Sequence, residues 1–258
     1  MAQSNNPVFD LFPLSDQNYQ TIKDFVHGMF SQMFDEEGFN LLTNFSPNYP
    51  STTHQLDRLS FETFGWKEEV TEGKTILVCQ QTGNYMYFTQ VQPNGPLGNI
   101  EDELDVYRQW VREQYVAMNG GLVFCEIFNN KNGVGGFESI TKIPRPEGAG
   151  GVDYAYFLNI QNYQQNVLYQ VIIKAHEQGN TGLRDNMMMQ PMMQITGLDP
   201  EELMKHYFRD PYQPDFTDGL RMNATEMEDF DSMFPLHPLT LIRQTPRPRL
   251  LESFRWDA

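Results

Sequence analysis

Apolar residues recur at helical spacing over 16–34, with Ile22, Val26, Met29 and Met33 on one side beside Phe25, Phe30 and Phe34. That spacing predicts an amphipathic helix of about five turns. Ser15 or Asp16 offers a side-chain oxygen to its first backbone amides, and Gly38 lies just beyond the acidic cluster that follows it. A turn-rich stretch over 46–53 then gives way to a period of two, which predicts strands at 58–70, 74–80 and 85–92. Gly73 and Thr82-Gly83-Asn84 provide tight turns between them. Short turns make this an antiparallel meander, because parallel neighbours need a crossover of about a dozen residues.

Helical spacing returns over 99–118, where Leu104, Tyr107, Val111, Tyr115 and Met118 lie along one side, predicted to face inward, with Arg108, Arg112 and Glu113 off it. Asn99 followed by Asp102 resembles an N-terminal cap, and Asn119-Gly120-Gly121 supplies a left-handed stop. Four further strands are predicted at 122–128, 136–143, 153–160 and 167–176, separated by segments of turn chemistry. In 153–160 the alternation of Tyr154, Tyr156 and Leu158 with Ala155, Phe157 and Asn159 predicts a strand covered on both faces. Beyond the strands, 179–182 leads into a methionine-rich helix, and Asp199 caps another that opens with Pro200. Past that point periodicity is lost, with loops at Asp210-Pro211 and Gln213-Pro214.

This order predicts an α+β fold: a mostly antiparallel sheet of about six to seven strands flanked by helices, with a loop-rich helical C-terminal extension. Residues 1–54 form an N-terminal helix and linker packed on the core, 55–198 the α+β core, and 199–258 an extension of the same domain. The order β-β-β-α-β-β-β-β-α over roughly 55–195 resembles the PsbP-like fold. That resemblance implies an antiparallel sheet between helices, and binding roles more often than catalysis. No motif matches, so no functional residue is carried over.

Composition narrows the function. With 258 residues and 40% hydrophobic content the chain can bury a core. A net charge of −16 repels phosphates, which argues against nucleic acid and anionic membranes and favours a protein partner, a basic one most readily. In its plainest role such a surface keeps a bacterial-style cytosolic protein in solution. Residues 199–231 hold ten acids against three bases, whereas the tail carries Arg243, Arg247, Arg249 and Arg255 against Glu252 and Asp257. The two stretches are expected to fold onto each other, with Leu250, Leu251, Phe254 and Trp256 as apolar anchors. The opening residues have no basic and apolar leader, no stretch is long enough to span a bilayer, and Cys79 and Cys125 sit in apolar runs as buried thiols. The expected location is the cytoplasm.

Candidate chemistry is sparse. In Gly179-Asn180-Thr181-Gly182-Leu183-Arg184-Asp185, amides at a strand-to-helix junction could meet an anion, with Asn180, Thr181, Gly182 and Arg184 as ligands. The plainer reading is a capped junction in which Arg184 pairs with an acid. Met188, Met189, Met192 and Met193 fall four apart in pairs, which suits core filling, an adaptable protein-binding surface or copper(I). Core filling is the usual outcome. Gly133, Gly135 and Gly136 read as a hairpin with a bulge, and the acid clusters fail the calcium-loop pattern. The five histidines show no zinc spacing, and no nucleophile elbow occurs. No cofactor or metal is expected, and the leading expectation is a non-catalytic adaptor, assembly or immunity-type factor. The alternative is a ligand-binding protein or enzyme with its site at 179–185.

Overall fold

The computed structural model describes residues 15–36, 51–63, 65–71, 74–80, 82–93, 97–146, 150–177 and 182–257. The protein is α+β. Its centre is a seven-stranded antiparallel sheet in the order β3-β4-β5-β9-β8-β7-β6. These strands are β3 (Lys67–Thr71), β4 (Lys74–Val78), β5 (Tyr85–Val91), β6 (Gly121–Asn129), β7 (Gly135–Pro144), β8 (Val152–Asn162) and β9 (Val167–His176). The predicted strand at 58–70 is two strands, β2 (Leu59–Thr63) and β3, parted around Gly65, whose φ of 59° leaves the extended region. β2 belongs to a second sheet, between β1 (Thr52–Leu56) and β12 (Arg255–Trp256). The expected turn residue Gly73 lies outside the described residues.

Both faces of the large sheet are covered, as the alternation in β8 predicts. Helix α2 (Ile100–Val116) lies against β6 and β7. Tyr107 stacks on Phe137, Tyr115 meets Phe157 edge-on, and Asn159 donates to the Tyr107 hydroxyl, so odd-numbered positions of β7 and β8 face α2. Even-numbered positions face the larger core. Tyr156, Leu158 and Ile160 are buried there with Ile22, Val26 and Phe30 of α1 (Asp16–Met33). Ser15 caps α1, accepting from the Asn18 amide.

The same core takes in α3 (Leu183–Thr196), α4 (Pro200–Tyr207), α5 (Pro238–Gln244) and α6 (Pro246–Ser253). Met188 and Met192 are 0% and 2% exposed, while Met189 and Met193 are partly buried against the cluster. The expectation that these four present a protein-binding surface is therefore corrected: α3 packs on α1, and its methionines fill that contact.

The arginine-bearing tail folds back on the body, where Leu250 and Phe254 are fully buried. Arg247 makes two bonds of 2.8 and 2.9 Å to Glu138, and Arg243 lies 3.3 Å from Asp231 in the acidic stretch. Between them, β10 (Phe208–Arg209) pairs with β11 (Met222–Asn223), and two 3-10 turns over Ala224–Glu226 and Glu228–Met233 bring Glu226 and Asp231 inward.

Candidate protein-binding surface

Leu183, Arg184 and Asp185 of the 179–185 segment open α3. Asn180 and Thr181 lie outside the described residues. Gly182 takes the left-handed N-cap position (φ 71°) with no side-chain cap, and its amide faces the Glu177 carboxylate at 3.4 Å. Glu177 also accepts from the Val152 amide at 3.0 Å, so a carboxylate of the chain already holds the place an anion would take. Arg184 is 2% exposed and directed inward, donating to Asp231, Thr240 and the Met227 carbonyl. The expectation of Arg184 as an open anion ligand is corrected on that burial. The capped-junction alternative foresaw its pairing with an acid, but at the surface.

Around this junction runs a buried polar network. Lys142 meets Glu226 at 2.7 Å, and Glu226 also accepts from the Tyr154 hydroxyl and the Asn223 amide. Burial opposes the Glu226 charge, but the Lys142 ammonium and these donors outweigh it and hold its pKa below the ordinary value. Asp185 is pushed the other way, by burial and by the nearby Glu226 charge. His237 has its pKa lowered by burial. Its Nδ1 accepts from the Leu239 amide and its Nε2 faces Glu177 at 3.4 Å, so both ring nitrogens are engaged within the fold. Cys125 offers no nucleophile at neutral pH, because burial pushes its thiol up to about 12.

The outer surface of α2 differs in kind. Asn99 caps the helix and Glu101, Asp102 and Glu103 occupy its first turn, where the helix dipole favours acids. Residues four apart form rows on a helix surface. One row is Asp102, Val106, Trp110 and Gln114, continued by Met118 beyond the helix; its neighbour is Glu101, Asp105, Gln109 and Glu113, continued by Ala117. All ten are exposed. Val106, Trp110 and Met118 are 69%, 53% and 52% exposed, so the expectation that Met118 faces inward is corrected. Helix α2 ends at Val116, and Met118 lies in the turn beyond it.

This exposed surface is held from behind. Arg112, buried, bonds Asp210 through two contacts of 2.8 Å, and Asp210 accepts the Tyr212 and Gln213 amides. Arg108 reaches Asp105 and Glu126, lies 3.9 Å from the Tyr212 ring centroid and donates to the Cys125 carbonyl at 3.1 Å. Tyr212 in turn accepts from the Cys125 amide at 2.7 Å. The backbone N–H and C=O of Cys125, at the sheet edge, are thus occupied by side chains. Trp110 stacks on Tyr107, itself stacked on Phe137, which seats the indole on a packed column.

Val106 and Trp110 are hidden in the sequence because both lie off the inward stripe of Leu104, Tyr107, Val111 and Tyr115, whose period dominates the helix. Two large apolar residues four apart among acids, off that stripe, were the available signal.

No protein-family model matches the chain, and no curated protein matches its sequence. Among solved structures, the Saccharomyces cerevisiae Ran-binding protein Mog1p aligns with a TM-score of 0.36 and 8% identity, over 50% of this chain and 79% of that one. A mutant of Mog1 aligns with a TM-score of 0.38 and 8% identity, over 59% and 92%. No helix among the described residues is long and apolar enough to cross a membrane.

Proposed function

We propose that this protein is a non-catalytic binding factor, of the adaptor, assembly or immunity type, whose partner is a basic protein docking on the outer surface of α2. The observation that carries this reading is the paired exposure of Val106 and Trp110, four apart on a rigid helix and bordered by Asp102, Asp105 and Glu113. Exposed tryptophan on a fixed backing is the usual anchor of an interface, and the −16 charge steers a basic partner toward it. The inward use of His237 and Arg184 supports a structural role for the residues nearest to catalytic chemistry. For the core we keep the PsbP-like reading, supported by β3 to β5, α2, β6 to β9 and α3 following one another in that order. A cytoplasmic location is part of the proposal, supported by the buried thiols of Cys79 and Cys125.

The test is parallel affinity capture from native lysate with the parent protein and with Trp110→Asp. A stoichiometric basic protein retained by the parent and lost by the variant, at unchanged melting temperature, is the expected result. Identical captures with both would refute the assignment to α2.

A further inference from the structure

We infer that the element received on α2 is an amphipathic helix, with an aliphatic stripe set over Val106 and Trp110 and Lys or Arg set against Glu101, Asp105 and Glu113. This rests on the protein-binding reading above and adds the shape and chemistry of the occupant.

The argument starts from the backbone. Amides and carbonyls within α2 are already spent inside the helix, so this surface offers a partner only side chains. An extended segment laid across it would leave its own amides and carbonyls desolvated with nothing to bond, which costs free energy for each group. A helix arrives with those groups satisfied. Strand addition beside α2 is hindered as well, because Cys125 N–H and C=O, midway along the β6 edge, are taken by Tyr212 and Arg108. What remains is the groove between the two exposed rows. The ridges of a second helix fit such a groove, crossing at about −50° when rows of four interlock.

Charge selects the occupant further. The exposed rows carry Glu101, Asp102, Asp105 and Glu113. Both arginines of α2 are committed inward, Arg112 to Asp210 and Arg108 to Glu126, the Cys125 carbonyl and Asp105. A second copy of this chain would set acids against acids on α2 and bring −16 against −16, so self-association is disfavoured. A helix with a basic flank meets the acidic row, while its apolar stripe covers an indole already fixed by the Tyr107 stack, which lowers the ordering cost of binding.

A synthetic 18-residue peptide provides the probe, with Leu at helical spacing and Lys and Arg flanking that stripe. It is titrated against the full chain by calorimetry and by nuclear magnetic resonance shifts. Binding should occur at one to one, with shifts confined to α2 and its surroundings, and Val106→Asp or Trp110→Asp should weaken it at least about tenfold. Paired Glu101→Gln and Glu113→Gln changes should weaken it several-fold and reduce its salt dependence. A proline-substituted analogue of equal charge should bind far more weakly. Equal binding by that analogue through Trp110 would overturn the helical occupant while leaving a protein-binding α2 standing. Failure of the peptide to bind, or binding unaffected by both Asp variants, would overturn the inference outright. Lysate capture that still depends on Trp110 would then show that the broader reading survives.

Discussion

Lys142 Nζ lies 2.7 Å from Glu226 Oε2, and the two side chains are 2% and 1% exposed. The pair joins the C-terminal end of β7 to the first of the two 3-10 turns in the acidic stretch. An ion pair in such a place is not strong evidence of net stabilisation, since desolvation offsets the attraction, but breaking it strands a buried charge. Lys142→Met alone, or Glu226→Gln alone, should destabilise by about 3–5 kcal/mol in urea unfolding. The double change should cost less than the sum of the two. Additive losses would mean the groups do not interact.

Titration of histidines and carboxylates whose pKa the fold shifts sets a pH dependence. His237, His27 and His54 all have pKa values lowered below 6.5 by burial, so the fold favours their neutral forms. Their contribution is complete above the unfolded value and declines as pH falls below it. Glu226 and Glu177 are lowered below 4.5, so their contribution is lost as pH falls further. Asp185, raised above 3.8, acts in the opposite sense and only softens the decline. Melting temperature should therefore drop between pH 7 and 5 and more steeply below about 4.5. His237→Asn, which can still cap α5, should flatten the first part. A melting temperature constant from pH 7 to 5 in the parent would contradict this assignment.

The methionine run separates core from fringe. Met188→Ala and Met192→Ala should each cost about 2–5 kcal/mol, as deletions at buried sites do. Met189→Ala, at a partly buried position, should cost clearly less. Losses below about 0.5 kcal/mol at Met188 and Met192 would return that run to the surface.

Removal of the tail exposes what it covers. A chain ending at Gln244 lacks the fully buried Leu250 and Phe254 and leaves the Glu138 carboxylate without its Arg247 fork. Burial of the two apolar side chains alone is worth about 3 kcal/mol or more. The truncated chain should melt earlier and bind a hydrophobic dye more strongly. Unchanged melting would mean that the tail adds no stability.

Long, regular elements were legible in the sequence because their periods are clean. The stripe of α1 through Phe30, the alternation in β8 and the Asp199-Pro200 start of α4 all carry a local physical signal, whereas Met33 and Phe34, expected on that stripe, are exposed at the end of α1. Short elements were not. β1 is only five residues long and begins inside the turn-rich stretch 46–53, and α5 and α6 are each too brief to show a period, although Pro238 and Pro246 sit at their first positions. The inward fate of Arg184 was hidden for another reason. Asp231, Thr240 and Met227 meet it from 43 to 56 residues away, and no local pattern encodes such partners. At α2 the inward stripe was clear through Tyr115, but the ending of the helix at Val116 turned Met118 outward.

The central claim, that the outer rows of α2 are the binding surface, is tested most directly by site-specific photocrosslinking in native lysate. A photoreactive residue at Gln109, between Asp105 and Glu113, should yield a discrete adduct with a basic protein, while the same residue at exposed Gln17 of α1 should not. A discrete adduct from Gln17 with none from Gln109, or none from either, would contradict the account.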